Sequence, residues 1–427
     1  MLLLFLFTGS LLSIRFRFIQ FRRLHQGLSS ILPHRSKGEK STYGSLCTAL
    51  AATIGTGNIV GVATAISVGG PGALFWMLLS ASVGMATQFT EGFLAIRYSE
   101  DSKIIGPFSY MERGLRNKFL GKLYALITVI SGLLGVGTII QINSITYAVD
   151  QLIPRQPILQ NCSIPMLAST GIVCFFAFLV ILGGGDRISK VCQYLVPFMS
   201  AIFLFCSLFL LLRNIQKLPH ALVLVVKGAF DPKAVMGGTV GIGLQQVMRM
   251  GIGRGVLTNE AGMGTTAIAA GTSGEKDPYK QGLVSMSATF IDTIVICTLS
   301  GLSLILTDVW QSPYTGGQLT TYAWQTGLPG NGHLWVLLLN LCLIFFAFAT
   351  ILGWGFYAEQ CLCYLTKGRG LRLYRTAYIA TLFVGPFLTV STAFDLADIL
   401  NGLMSVPNLL SILLLQEEVV KEVRKRD

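Results

Sequence analysis

Residues 48–66 read TALAATIGTGNIVGVATAI, an apolar stretch interrupted by Gly55, Gly57 and Gly61. A transmembrane helix needs about 20 mostly apolar residues, and this stretch is long enough. Glycine in a helix interior costs roughly 1 kcal/mol relative to alanine, so three closely spaced glycines favour unwinding. Unwound backbone at membrane depth must be buried in protein or line a wet cavity. The stretch therefore predicts a broken helix, capped by Asn58, whose free carbonyls bind a cation and whose half-helix N-terminus binds a carboxylate.

A second apolar segment, residues 247–271, carries Gly251, Gly253, Gly255, Gly262 and Gly264. We predict that its helix opens at the first three of these glycines, with Asn259 as a cap residue just after the break. The two breaks stand about 200 residues apart, and each begins a group of five apolar spans. An interrupted helix at the same place in two halves indicates a transporter site built from repeats. With five spans in each half, the second repeat is inverted. For one segment alone, close packing of small residues is the alternative; the matched pair favours a site.

The composition of the 427-residue chain is that of a membrane protein, because 52% of its residues are hydrophobic and only 12% are charged. Soluble domains carry about 25% charged residues. We therefore predict an all-α polytopic bundle of about eleven transmembrane helices. The candidate spans are 1–19, 44–66, 69–96, 121–149, 165–183, 190–212, 236–270, 280–307, 333–365, 372–391 and 398–415.

These spans divide the chain into five predicted parts. Residues 1–43 hold a short or truncated N-terminal helix and a basic cytoplasmic loop, and 44–212 form the first five-helix repeat. A connecting loop follows at 213–235, then the second five-helix repeat at 236–415 and a basic cytoplasmic tail at 416–427.

Basic residues set the expected orientation, because short cytoplasmic loops are rich in Lys and Arg. The loop at 97–122 and the C-terminal tail are basic, whereas the loops at 308–332 and 392–398 contain neither residue. This places the N-terminus outside and the C-terminus in the cytoplasm, with the basic loop 213–233 as an exception. The net charge of +12 thus reflects topology and does not indicate nucleic-acid binding. Nine cysteines without a C-x-x-C pair and four scattered histidines predict no resident metal site.

Five strings of the sequence resemble the sodium:alanine/glycine symporter family, the bacterial amino acid carrier proteins. They are GTGNIVGVATAI at 55–66, GGPGALFWM at 69–77, GMATQFTEGFLA at 84–95, GRGVLTNEAGMG at 253–264 and FIDTIVICT at 290–298. The resemblance spans roughly residues 15–415. It implies a leucine-transporter-type 5+5 inverted repeat with broken first and sixth core helices and one extra N-terminal helix. It also implies Na⁺-driven uptake of alanine or glycine by alternating access in the bacterial inner membrane, with no cofactor and with a monomer sufficient.

The resemblance also implies where substrate and cation bind. The substrate carboxylate is expected at the backbone around Gly55, Thr56 and Gly57. A sodium site is expected between the carbonyls of Ala51 and Ile54 and the hydroxyl of Thr350. The other candidates are Thr53 and Asn58 for a second cation or the substrate, Met250, Gly251 and Gly253 in the same cavity, and Gln141 and Trp354 as walls. An interhelical hydrogen bond remains an alternative for Gln141, as core packing does for Trp354.

Two departures from the family pattern are visible. Residues 105–110 read IGPFSY, where the family usually has GGPMYY, and Ala349 stands beside Thr350, where a second hydroxyl residue is common and helps to hold sodium.

Charged residues inside apolar spans are candidate functional groups. Such residues are Glu91, Asp292 and Glu359, with Arg249, Arg254 and Glu260 beside the second break. We expect the last three to form an ion-paired gate on the cytoplasmic side, with a fixed structural pair as the alternative. Glu91 or Asp292 is instead a candidate proton carrier.

Competing functions follow from the same features. A proton-coupled or differently selective amino acid carrier is the closest alternative to sodium symport. An ion channel would use the glycine segments as a filter, but channels usually build filters from equivalent loops of several chains. An enzyme would need a nucleophile–base or metal constellation, which these histidines and cysteines do not supply.

Overall fold

The computed structural model describes residues 1–31, 42–99, 104–153, 157–159, 162–231, 243–271 and 273–426. Within these ranges the chain is helical apart from one short hairpin, which agrees with the predicted all-α class. In the first half the elements are α1 (Leu2–Arg15), α2 (Ile19–Arg22), α3 (Leu24–Ile31), α4 (Thr42–Thr53), α5 (Val60–Gly69), α6 (Gly72–Arg97), α7 (Pro107–Arg113), α8 (Lys118–Leu134), α9 (Ile139–Leu152), β1 (Pro157–Leu159), β2 (Cys162–Ser163), α10 (Ile164–Leu182), α11 (Gly184–Arg213) and α12 (Leu218–Phe230). In the second half they are α13 (Leu244–Asn259), α14 (Thr265–Ala270), α15 (Pro278–Thr289), a π-helical segment (Phe290–Cys297), α16 (Thr298–Leu306), α17 (Gly316–Gly327), α18 (Gly332–Thr366), α19 (Leu371–Leu382) and α20 (Val390–Arg426).

Several helices begin at residues whose side chains accept a hydrogen bond from the first turn. Asn117 accepts from the Leu120 amide at 3.0 Å, and Asp277 accepts from the Tyr279 amide at 3.0 Å. Asn331 accepts from the His333 amide at 3.0 Å. These polar caps fix where α8, α15 and α18 start.

Seven helices in the described ranges are long and apolar enough to cross a membrane, or eight if the bent pair Leu46–Thr53 and Thr56–Gly69 forms one span. The chain is therefore a multi-pass membrane protein. Three predicted spans fall outside this count: α1 has 14 residues, α19 has 12, and the span 236–270 is divided and partly outside the described residues. The total of eleven stays a prediction.

The first predicted break is present. Helix α4 ends at Thr53, a short 3₁₀ turn covers Thr56–Asn58, and α5 starts at Val60. The two parts of the span are bent by 57°. The glycine run therefore does unwind the helix, and all residues from Thr53 to Val60 are buried.

The second predicted break is misplaced. Helix α13 runs without interruption through Gly251, Gly253 and Gly255. A Cβ at Gly251 would lie 2.3 Å from the Ala73 carbonyl oxygen, and one at Gly255 would lie 2.3 Å from Ser80 Oγ. These two glycines therefore let α13 pack closely on α6, so this part of the prediction was wrong.

The second helix opens about one turn later, between α13 and α14. Glu260, Gly262 and Gly264 have φ values of 56°, 83° and 84°. This left-handed backbone favours glycine, and it ends α13 before the chain turns into α14.

Two further irregularities were not predicted. The span 121–149 is interrupted between α8 and α9, where a Cβ at Gly137 would lie 2.5 Å from the Cβ of Trp354. The span 280–307 contains the π-helical segment, which carries the buried Asp292. Such π segments inside α-helices are frequent at functional sites.

The two broken helices lie side by side in the bundle. Helix α13 packs along α5 and α6, and α14 contacts α4. Helix α18 packs against α4, α8, α9 and α11, and it crosses α4 closely because a Cβ at Gly353 would lie 2.8 Å from Ala52 Cβ. Large apolar side chains of α10 and α11, among them Phe175, Phe198 and Phe205, are exposed as expected for surfaces that face lipid.

Candidate functional site

The first break is held open by one side chain, that of Asn58. Its Oδ1 accepts a hydrogen bond from the Gly55 amide at 3.0 Å, and its Nδ2 donates to Asp292 Oδ1 at 2.7 Å. Asp292 Oδ2 in turn accepts from Thr293 Oγ1 at 2.7 Å. All of these groups are buried. Asn58 thus caps the unwound turn, as the sequence predicted, and ties it to the π-helical segment.

A small cavity of about 10 Å³ lies beside this turn, which is room for about one water molecule. Five predicted site residues meet there: Thr53, Gly55, Thr56, Gly57 and Gln141. The remaining lining residues, which sequence reasoning missed, are Ala52, Val136, Ile140, Leu257 and Phe394. Val136 lies within the break between α8 and α9, and Ile140 lies just after it. The glycines of that break were a usable signal, whereas Phe394 has no sequence signal.

The cavity is bordered by polar atoms that have spare hydrogen-bonding capacity. Gln141 Nε2 donates to the Val136 carbonyl at 3.0 Å, but Gln141 Oε1 has no partner in the described part of the chain. Thr56 Oγ1 is also buried without a partner there. An acceptor at Gln141 and a hydroxyl donor at Thr56 suit a zwitterion, whose ammonium group donates and whose carboxylate accepts. The walls opposite are apolar.

Two of the predicted cation residues, Ala51 and Thr350, meet beside Gly55. Thr350 Oγ1 lies 3.1 Å from the Ala51 carbonyl oxygen and 3.1 Å from that of Phe346. A Cβ at Gly55 would lie 2.5 Å from Thr350 Oγ1, so the hydroxyl sits directly against the unwound turn that follows Ile54. Carbonyls freed by helix breaks, together with hydroxyls, are the usual ligands of Na⁺ in transporters.

A second, wide cavity of about 780 Å³ lies next to the small one. Leu257 lines both cavities, so its side chain separates them. Met250 and Gly253, predicted at the substrate, line the wide cavity and not the small one. The other residues around the wide cavity are Met1, Leu2, Gly243, Gln245, Gln246, Arg249, Arg254, Val256, Asp395, Asp398 and Asn401.

The predicted gate differs from the structure in its ion-pair partner. Arg254 Nη1 lies 3.3 Å from Asp398 Oδ1, and its guanidinium stands 4.6 Å from the centre of the Phe394 ring. Glu260 is not its partner. Because α13 runs inward from the face that carries Met1, Arg249 and Arg254 precede the break and face the wide cavity.

Trp354 and Gly251 lie away from the small cavity. Trp354 is fully buried, and its Nε1 donates to Glu260 Oε1 at 2.7 Å in the second break. Gly251 is covered by Ala73 and Trp76. Among the residues that the structure describes, no group of three or more His, Cys, Asp or Glu could hold a metal ion.

A multi-pass helical membrane protein with a broken helix beside a small polar cavity has the architecture of a secondary transporter. Comparison with known proteins identifies the family within this class, because residues 1–426 match the model of the sodium:alanine symporter family. The chain belongs to this family, which confirms the resemblance seen in the sequence.

Individual relatives align over almost the whole chain. A transporter of Haemophilus influenzae is 42% identical over 98% of this chain and 91% of its own length. The sodium/alanine symporter AgcS of Methanococcus maripaludis is 38% identical over 99% of this chain and 93% of its own. The probable sodium/glutamine symporter GlnT of Bacillus subtilis is 33% identical over 98% of this chain and 86% of its own. The protein is thus a sodium-coupled amino acid transporter with Na⁺ as its co-transported ion, and not an enzyme.

Proposed function

We propose that the protein couples Na⁺ entry to the uptake of a small neutral amino acid, alanine or glycine, by alternating access. The observation that carries this proposal is the position of the Thr350 hydroxyl, 3.1 Å from the Ala51 carbonyl and against Gly55. One turn of unwound backbone thereby has a cation-type ligand set beside it. The unpartnered polar atoms of Gln141 and Thr56 lie at the same turn.

The proposed fold is the leucine-transporter-type 5+5 inverted repeat. Its first repeat is 44–212 and its second is 236–415, with the N-terminal helix outside both. The presence of a break in each half and the contact between α5 and α13 support this arrangement. The eleven helices of this fold include α1 and α19, which are shorter than the other spans.

In the proposed site, Na⁺ binds to the carbonyl oxygens of Ala51 and Ile54 and to Thr350 Oγ1. The substrate carboxylate binds at Gly55, Thr56 and Gly57, and the substrate ammonium group binds Gln141 Oε1. Thr53 lines the same cavity. Because this cavity holds about one water in the present conformation, substrate entry requires Leu257 or Phe394 to move aside.

The size of the pocket favours a small side chain. Val136, Ile140, Leu257 and Phe394 close the cavity, and Gly57 is in tight contact with Thr258, whose Cγ2 would lie 2.8 Å from a Cβ at residue 57. The named relatives differ in substrate, alanine for one and glutamine for another, so the preference of this chain depends on these wall residues.

The proposed location is the bacterial inner membrane, with the C-terminus in the cytoplasm. Met1 and Leu2 line the wide cavity. With the N-terminus outside, that cavity is the outer vestibule, and the Arg254–Asp398 pair stands on the path from it to the substrate.

Uptake of labelled alanine and glycine into proteoliposomes under imposed Na⁺, Li⁺ or H⁺ gradients tests this function. We expect uptake that follows the Na⁺ gradient. Uptake that follows a pH gradient and ignores sodium would refute sodium coupling, and currents without any amino acid would favour a channel.

A glycine pair tests the site itself. Gly57→Leu is expected to abolish binding because its side chain enters the tight contact with Thr258. The matched control is Gly61→Ala, because no atom lies within 4 Å of a Cβ at that position. Normal uptake by Gly57→Leu would place the substrate elsewhere.

A further inference from the structure

Trp354 on α18 is bonded to the second helix break. Its side chain is fully buried, and its Nε1 donates a hydrogen bond to Glu260 Oε1 at 2.7 Å. Glu260 is also buried, and it follows the last residue of α13 with a left-handed φ of 56°. The hydrogen bond therefore joins α18 to the point where the second broken helix opens.

Trp354 also contacts the break between α8 and α9. A Cβ at Gly137 would lie 2.5 Å from Trp354 Cβ, so a larger residue there would push the two elements apart. Tyr378 on α19 holds the same region together, because its hydroxyl lies 2.9 Å from the Gly137 carbonyl oxygen and 2.7 Å from that of Ile351 on α18. Both breaks are thus attached to a single turn of α18.

The elements that Trp354 joins carry two groups of the proposed site. Thr350 lies four residues before Trp354, about one helical turn, and Gln141 lies four residues after Gly137. A Cβ at Gly55 would lie 2.5 Å from Thr350 Oγ1 and 3.5 Å from Gln141 Oε1. The two groups therefore meet at one glycine although they belong to different elements, and Trp354 is a point of direct contact between those elements.

We infer that Trp354 is a positioning residue of the transport site. It does not line the small cavity. Its hydrogen bond to Glu260 holds α18 in the position that presents Thr350 to Gly55, and its contact with the α8–α9 break holds the element that carries Gln141. The role in transport rests on the proposed function, whereas the hydrogen bond and its effect on the two breaks do not.

A positioning residue affects ligand affinity differently from a residue that binds the ligand. Without the hydrogen bond, α18 also occupies other positions, and the apparent affinity falls with the fraction of molecules that keep the competent one. Loss of a buried hydrogen bond shifts such an equilibrium by about a factor of ten. A saturating second ligand cancels this loss, because it selects the same competent conformation. Loss of a direct ligand group, by contrast, weakens affinity at every concentration of the other ligand.

Hydrogen–deuterium exchange of the full chain in lipid nanodiscs tests the positioning role without any transport. Backbone amides of residues 260–264 and 135–138, which form the two breaks, should exchange about tenfold faster in Trp354→Phe than in the wild type. Trp324→Phe is the matched control, because Trp324 is also fully buried and its Nε1 has no hydrogen-bond partner in the described part of the chain. Equal exchange at the breaks in the two variants would overturn the inference.

Glu260 supplies a second pair of variants, which also serves if Trp354→Phe does not fold. Glu260→Leu leaves the indole donor unpaired and should speed exchange at both breaks. Glu260→Gln keeps an oxygen acceptor and should stay close to the wild type. Because both single substitutions remove the same bond, the double variant Trp354→Phe/Glu260→Leu should exchange no faster than Glu260→Leu alone. Additive effects, or equal exchange in the leucine and glutamine variants, would overturn the inference.

Uptake into proteoliposomes tests the consequence for transport. At low alanine, Trp354→Phe should raise the Na⁺ concentration for half-maximal uptake roughly tenfold, and at saturating alanine its curve should match the wild type. An increase that persists at saturating alanine would make Trp354 a ligand residue and contradict the positioning role. Absence of any uptake by the wild type would refute only the proposed function, and the exchange measurements would still decide the positioning role.

Discussion

The hydroxyl of Thr350 reaches two backbone carbonyls, those of Ala51 and Phe346, each at 3.1 Å. One of these carbonyls belongs to its own helix and the other to the end of α4. The neighbouring Ala349 is buried and brings no oxygen. At this point α18 thus offers a single side-chain ligand, so cation affinity should depend strongly on residue 350.

We predict that Thr350→Val weakens sodium coupling and that Thr350→Ser preserves it. Loss of a polar partner from a buried site costs about 1–3 kcal/mol, and 1.4 kcal/mol is a factor of ten. The Na⁺ concentration for half-maximal alanine uptake should therefore rise roughly tenfold in Thr350→Val. Serine keeps the oxygen, so its curve should overlay the wild type. Equal curves for the valine and serine variants would remove Thr350 from the cation site.

Leu257 should determine substrate size, because its side chain separates the small cavity from the wide one. We predict that Leu257→Ala accepts larger neutral amino acids, such as glutamine, at the expense of alanine. Methylene-sized changes in an apolar pocket alter discrimination by about 10–200-fold, so the ratio of glutamine to alanine uptake should rise at least tenfold. Leu257→Met, which keeps the volume, is the control. An unchanged ratio would show that another residue limits size.

At the scale of helices, the contact between α13 and α6 depends on particular glycines. We predict that Gly251→Ala destabilises the protein by about 1–3 kcal/mol, because its Cβ would lie 2.3 Å from the Ala73 carbonyl oxygen. Gly253→Ala is the matched control: its nearest neighbour, Leu2 Cδ1, is 4.0 Å away, and alanine favours the helix by up to about 1 kcal/mol. Thermal unfolding in lipid nanodiscs should separate the two. Similar melting temperatures would mean that Gly251 is not a contact residue.

The contacts of Gly251 and Gly255 with α6 explain why the sequence located only one break correctly. Glycine in a helix interior has the same local free-energy cost at Gly55 and Gly57 as in the run from Gly251 to Gly255. At Gly251 and Gly255 that cost is offset by close contact with α6, which lies far away in the sequence. The actual second break uses Gly262 and Gly264 at φ values of 83° and 84°. Their left-handed backbone is a tertiary outcome that the glycine spacing did not reveal.

The sequence predicted the site residues that are neighbours in the chain. It did not predict those that the packing of different helices brings together. Thr53 to Gly57 belong to one string, so the sequence placed them together, and Gln141 was visible as a polar residue in an apolar span. Phe394 comes from α20, whose start carries no motif, and its place depends on how α20 packs. Trp354 was assigned to the cavity wall because nothing in the sequence shows its partner, Glu260.

At the scale of the whole molecule, the two faces of the bundle differ. The wide cavity opens on the face that carries Met1, whereas on the opposite face the end of α20 is bound to several elements. Arg15 pairs with Glu417, the Tyr98 hydroxyl donates to Glu418 at 2.7 Å, and Arg426 lies 2.7 Å from Asp277. Burial opposes ionisation of Asp277, but the hydrogen bond from Arg426 outweighs it and lowers the pKa of that carboxyl. The bundle therefore has a wide cavity on one side and contacts between the end of α20 and other elements on the other.

This asymmetry predicts that the wide cavity changes its accessibility during transport. A cysteine introduced at Gln246, which lines that cavity, should react from outside the cell with a membrane-impermeant thiol reagent. Na⁺ and alanine together should slow the reaction, because binding favours a conformation in which Leu257 and Phe394 are covered and α13 approaches α20. Arg254→Ala, which removes the pair with Asp398, should reduce this protection. A cysteine at the exposed Lys217 is the control and should react equally with and without ligands. Labelling of residue 246 only from the cytoplasmic side would invert the proposed topology, and labelling insensitive to Na⁺ and alanine would contradict alternating access through this cavity.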